Sequence, residues 1–193
     1  DAILPLKEKY GATVYGPRGE ADKIEGLDHL VSGGDTVKLG QTMFEVIDTP
    51  GHTLGHITFH VPSEKLLFAA DALFSLGVGR MFEGTPGPMW EGLLRLRGLD
   101  PQTRLYCGHE YTLSNATFAL SVDPDNAALK ARAAEAKRQI DNGQPTIPAI
   151  LADEIAANPF LRADDPGIAK AMNLEGASPA EVFGALRKAK DNF

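Results

Sequence analysis

The chain is 193 residues long, 43% hydrophobic and 23% charged, a composition that suits a globular protein with one sizeable core or a core plus a smaller appendage. Its formal net charge of −7 repels polyanions and excludes a nucleic-acid reading, so an anionic ligand would have to be met by a local basic cluster. No apolar run approaches the roughly 18–20 residues of a membrane span, and the single cysteine, Cys107, cannot form an intramolecular disulfide, which points to a reducing, cytoplasmic compartment.

The first half reads as α/β. A short helix is expected over Ile3–Tyr10, then a small strand at residues 12–15 and a loop through "GPRGEADKIEG". Strands follow at Thr36–Leu39, Thr42–Asp48, residues 56–61 and residues 65–69, each short, rich in β-branched or aromatic residues and bounded by Gly, Pro, Asp or Ser. In "HITFHV" the apolar Ile57, Phe59 and Val61 alternate with His56, Thr58 and His60, the period of a strand and not of a helix. The glycine-rich "SLGVGRMFEGTPG" reads as a long loop, followed by a helix at residues 89–96 and a strand at Arg104–Cys107.

After Tyr111 the texture becomes helical. "NAALKARAAEAKRQIDNG", "PAILADEIAANPF" and "SPAEVFGALRKAK" are rich in helix formers, and Ser178-Pro179 supplies an N-cap followed by proline at the first helical position. The expected organisation is an α/β domain over residues 1–111 and a small all-α domain over residues 112–193.

Three polar residues occupy equivalent places. His52 follows the strand ending at Asp48, Asp71 follows "LLFAA", and His109 follows "RLYC", all in loops after strand ends, where layered folds collect reactive groups. Two imidazoles and a carboxylate suit Zn, Fe or Mn. Each residue alone also fits a loop or turn former, and spacing leaves both readings open. His56 is assigned at most a supporting role, His60 a structural one, and His29 the surface or a loop. Cys107 sits in an apolar run and reads as an inert buried thiol rather than a nucleophile. Arg187 and Lys190, three apart in "LRKAK", share a helical face and suit either a carboxylate ligand or a solvated helix end.

With these residues in place, "TPGHTLGH", "FAADALFSLGVGRMFEGTP", "CGHEYTLSNATFA" and the closing "LRKAKDNF" resemble, in order and spacing, the blocks of the glyoxalase II (hydroxyacylglutathione hydrolase) family of the metallo-β-lactamase superfamily. The resemblance implies an αββα sandwich, N-terminally incomplete here, with a helical substrate-binding domain behind it. It implies two divalent metal ions, Zn or else Fe or Mn, with His52 on one, His109 on the other and Asp71 between them. It also implies hydrolysis of a glutathione thioester such as S-D-lactoylglutathione, with substrate contacts at Arg80, Phe82, Tyr111, Arg187 and Lys190. Phe82 stands where some members have Tyr, and Val78 where a Cys is common. The family's Thr-His-x-His-x-Asp-His block, which supplies four further ligands, would end just where Asp1 begins, so the expectation is of a fragment or processed chain. The alternatives are another hydrolase or a persulfide dioxygenase of the same superfamily, and a non-catalytic fragment or binding module. The protein is expected to act as a monomer on a small-molecule substrate.

Overall fold

The computed structural model describes residues 2–193, so the expectation that turns on Asp1 lies outside the described residues. The chain runs through α1 (Ile3–Tyr10), β1 (Tyr15–Pro17), β2 (His29–Val31), β3 (Thr36–Leu39), β4 (Thr42–Asp48), β5 (Ile57–Val61), β6 (Leu66–Ala70), β7 (Leu73–Phe74), β8 (Gly77–Val78), α2 (Pro86–Arg97) and β9 (Arg104–Cys107). It continues through α3 (Thr112–Val122), α4 (Ala127–Asp141), β10 (Ala149–Ile150), α5 (Leu151–Ala157), α6 (Pro166–Ala171) and α7 (Pro179–Asp191).

One six-stranded sheet, ordered β10-β9-β6-β5-β4-β3, organises the molecule. The strands β3 to β6 pair antiparallel, as short connections allow, whereas β9 joins β6 in parallel because α2 provides the crossover. Alternation decides the two faces. Leu67, Ala69 and Leu105 point to the helical side and are fully buried with Leu93 and Leu96 of α2 and Phe183 and Leu186 of α7. The principal core therefore draws on both halves of the chain. Phe59, Phe68 and Tyr106 point the other way and form, with Phe44, an aromatic row across β4, β5, β6 and β9. On that side β1 and β2 pair in parallel, with Val31 packed on Val46 and Ile57.

Several elements differ from the sequence reading. The first strand lies at Tyr15–Pro17 rather than at residues 12–15, and His29 is on the surface as expected but in β2, stacked on Tyr15 at 4.7 Å. The glycine-rich segment contains a hairpin, β7–β8. Helices α3 and α6 and strand β10 complete the second half; β10 adds to the edge of the sheet beside β9. Helix α7 begins with a capping box between Ser178 and Glu181, which satisfies the free amides of its first turn. No helix among the described residues is long and apolar enough to cross a membrane.

Candidate metal and substrate site

The three strand-end residues converge. His52 Nε2 lies 3.7 Å from Asp71 Oδ2, and His109 Nε2 lies 3.3 Å from Asp71 Oδ1, so each imidazole faces a different oxygen of one carboxylate. Three local features produce this. Ala70 takes a positive φ of 45° at the end of β6, where the pairing with β9 slips by one residue, and this turns Asp71 out of the strand. Gly108 N–H donates to Ala70 O at 2.8 Å, tying the His109 loop to the same strand end. Gly79 passes so close to the Asp71 carbonyl that a Cβ there would overlap it and sit 3.3 Å from His52 Nδ1.

The orientation of His52 follows from its partner. Nδ1 lies 2.9 Å from the Arg80 carbonyl, which can only accept, so Nδ1 donates to it and Nε2 is turned towards Asp71. A backbone acceptor behind the ring is the arrangement that orients metal-ligating histidines. Asp71 Oδ1 is buried without a hydrogen-bond partner, since its contact with His109 lacks hydrogen-bond geometry. An orphaned oxygen on a carboxylate flanked by two imidazoles fits a divalent ion in donor type. The number of donors is short: among the described residues no group of three or more His, Cys, Asp or Glu side chains closes into a complete coordination set.

The loop at residues 49–56 is fixed from outside. Glu20 Oε1 accepts from Gly55 N–H, Glu83 Oε2 accepts from Leu54 N–H, and Lys23 bridges the two carboxylates at 3.0 and 2.7 Å. Burial opposes ionisation of Glu20, but the bonds from Lys23 and Gly55 outweigh it and hold the carboxyl below its usual value. Glu20, Lys23 and Glu83 were missed by sequence reasoning, because residues 20 and 83 meet only in the folded chain. His56 supports the loop through a 2.9 Å bond between Nδ1 and Thr49 Oγ1, and burial, then the neighbouring His52, lowers its pKa. His60 is buried against Glu45 and takes no part. Burial pushes the Cys107 thiol up to about 11, which leaves it unreactive at neutral pH.

The residues expected to touch substrate gather beside this centre. Tyr111 stacks on His109 at 5.0 Å, and Phe82, largely exposed, lies 5.0 Å from the His52 ring. A cleft of about 340 Å³ is lined by Phe74, Val78, Arg80, Tyr111, Lys190 and Phe193. Lys190 Nζ, 3.0 Å from Ser114 O, lies near the Phe118 and Phe193 rings, and Arg80 approaches Asp191 at 3.8 Å. Arg187 also borders the cleft but is only 4% exposed. Its guanidinium donates to Val78 O at 2.9 Å and to Asp191 at 3.0 Å, and its Nε is buried without a partner. Burial lowers the pKa of Arg187 and of Lys190 alike.

The mixed sheet, with two imidazoles and a carboxylate gathered at its strand ends, is of the metallo-β-lactamase type. The metallo-beta-lactamase superfamily profile matches residues 2–109, and that of the hydroxyacylglutathione hydrolase C-terminus matches residues 110–193. The hydroxyacylglutathione hydrolase of Bradyrhizobium sp. (strain ORS 278) is 53% identical over 189 residues, covering 98% of this chain and 74% of that protein. That of Rhizobium meliloti (strain 1021) is 52% identical over 192 residues, covering 100% and 75%. Among solved structures, ETHE1 from Myxococcus xanthus aligns with a TM-score of 0.60 at 25% identity, over 98% of this chain and 70% of that one. The chain belongs to the hydroxyacylglutathione hydrolase family of the metallo-β-lactamase superfamily.

Proposed function

We propose that this chain carries the reaction for which its relatives are named, hydrolysis of a 2-hydroxyacyl thioester of glutathione, with S-D-lactoylglutathione as the reference substrate. The observation that carries the reading is the Asp71 carboxylate, each of whose oxygens faces a different imidazole, with Tyr111 linking His109 to a cleft whose lining includes Arg80, Lys190 and Asp191. His52, Asp71 and His109 would supply part of the donor set for divalent ions, Zn, Fe or Mn, with one carboxylate and two imidazoles as the ligating groups. Such ions, when bound, supply Lewis acidity that lowers the pKa of water towards about 7 and stabilises charge on the acyl oxygen.

The chain's own residues orient and bind. The Arg80 carbonyl holds His52 in the Nδ1–H form, and Tyr111, stacked on His109, restricts that ring. Lys190 and Arg80 present positive charge in the cleft and would meet the carboxylates of the glutathionyl portion, with Arg187 adding charge from beneath. Phe82, beside His52, would cover the acyl end. In the net reaction the C–S bond breaks, the acyl carbon gains the oxygen of water, and the proton balance ends on the departing thiol. Residues 112–193 serve as the substrate-binding portion and residues 2–111 as the metal-bearing one.

Metal content and turnover of S-D-lactoylglutathione, measured together on the metal-loaded protein and on Asp71→Asn, test this. The variant is expected to lose bound metal and at least about 100-fold in kcat/KM, as losses of ligands and their supports do. Unchanged metal content and turnover in Asp71→Asn would overturn the assignment of the centre. Hydrolysis of simple acyl thioesters but not of glutathione thioesters would overturn the substrate class.

A further inference from the structure

The turn that joins β7 to β8 is held by a carboxylate to which the proposed chemistry gives no part. Glu154 on α5 is fully buried; Oε1 accepts from Ser75 Oγ at 2.6 Å, and Oε2 accepts from Leu76 N–H at 2.7 Å. The rest of the turn is bound from the same side. Asn158 Nδ2 donates to the carbonyls of Phe74 and Gly77 at 3.3 and 3.1 Å, and Asn115 Nδ2 donates to Ser75 O at 3.1 Å. Arg132 on α4 reaches Ser75 Oγ at 3.2 Å and Thr146 O at 2.7 Å. Side chains from α3, α4 and the end of α5 thus take up the polar groups of a two-residue turn.

That turn would not hold its shape unaided. Leu76 has φ of 58°, a left-handed conformation that a leucine adopts only when its surroundings impose it. Its side chain is fully buried with Ala116, Ala119, Leu129 and Ala157, so the second, smaller core supplies one anchor and Glu154 the other.

The hairpin has a Asp71 at one end and the support of His52 at the other. Asp71 lies two residues before β7, and Arg80, whose carbonyl takes the His52 Nδ1–H, lies two residues after β8. Between them Arg187 holds the Val78 carbonyl. Resting on the assignment of His52 and Asp71 as ligands, we infer that Glu154 is a positioning residue. By fixing the Ser75-Leu76 turn it sets the distance between Asp71 and the Arg80 carbonyl, and so the orientation of His52. The helical half of the chain would then tune the geometry of the metal centre as well as receive substrate.

The test compares Glu154→Ala, Glu154→Gln and Ser75→Ala with the wild type. The His52 ring nitrogens are followed by 15N NMR in the metal-free protein, and kcat and KM in the metal-loaded protein. In the wild type His52 should show the Nδ1–H tautomer. Glu154→Ala should lose that signature and about tenfold in kcat, with KM changed by less than about twofold, because misplacement of reacting groups acts mainly on kcat. Glu154→Gln keeps an acceptor for Leu76 N–H and should recover part of both. If Glu154→Ala does not fold, Ser75→Ala, which removes a single hydroxyl, carries the test with a smaller change in the same direction. Folded Glu154→Ala or Ser75→Ala protein with the wild-type His52 signature and kcat would overturn the inference. The NMR readout needs no turnover, so a protein inactive on glutathione thioesters would sink the functional reading while leaving this one measurable.

Discussion

Replacement of Arg187 by alanine separates a structural from a binding role for the basic pair on α7. The guanidinium is 4% exposed and makes two hydrogen bonds, to Val78 O at 2.9 Å and to Asp191 at 3.0 Å, while lying 5.3 Å from the centre of the Phe160 ring. Removing it leaves the buried Val78 carbonyl without this donor, at a cost of about 1–3 kcal/mol. Loss of the aromatic contact adds about 1 kcal/mol. The freed Asp191 carboxylate is 40% exposed and returns to water, so its half of the ion pair contributes little. The expected loss is about 2–4 kcal/mol. Urea unfolding followed through Trp90, the chain's one tryptophan, suits the measurement, since its ring lies 6.1 Å from that of Phe183 on α7. With a urea slope of about 2 kcal/mol/M, the midpoint should fall by about 1–2 M. Lys190→Ala removes a more exposed charge and should change stability by less than about 0.5 kcal/mol while raising KM for the glutathione thioester. An Arg187→Ala protein as stable as the wild type within about 0.5 kcal/mol would refute the structural role and return Arg187 to the substrate alone.

Two further perturbations address the centre and the acid limb of stability. Gly79→Ala places a methyl against the Asp71 carbonyl and within 3.3 Å of His52 Nδ1, and should abolish turnover while leaving the far-UV circular dichroism intact; an active variant would show that the approach can relax. Asp164 pairs with Arg97 at 2.7 Å, and hydrogen bonding from that guanidinium holds the carboxyl below its usual value. A depressed carboxyl pKa contributes stability that is present above the unfolded value of about 3.9 and is lost as pH falls through the folded one. Because both groups are partly exposed, Asp164→Asn should cost no more than about 1 kcal/mol at pH 7, and the difference from wild type should shrink as pH falls below the unfolded value and through the lowered folded one. A difference that persists unchanged in acid would assign the effect to something other than the ion pair.

Period and punctuation carried much of the fold. The bounds of α1, β3, β4 and β9 agree with the sequence reading, and α7 begins at the expected Ser178 cap, because each is written locally in alternation, helical spacing or a capping residue. The elements that escaped lack such local signals. Strand β2 is three residues long and stands only because it pairs with β1, and β10 is a two-residue addition to the edge of β9. The convergence of His52, Asp71 and His109 was legible as equivalent positions after three strand ends, since the order β4-β5-β6-β9 brings those ends to one side.

The hairpin β7–β8 shows why the remainder was not. Its sequence, "LFSLGV", has leucine where a turn of this kind ordinarily takes glycine or asparagine, so local turn chemistry argues against it. What overrides that preference lies 78 residues away at Glu154 and 81 residues away at Asn158, with the Leu76 side chain buried against α3, α4 and α5. The same long-range contacts bring Val78 under Arg187, a residue whose sequence setting suggested only an exposed or substrate-facing cation. A segment held by contacts of this range has no local signature to read. Its departure from turn propensity, in a stretch that begins two residues after a candidate ligand, is itself the indication that the rest of the chain shapes the site.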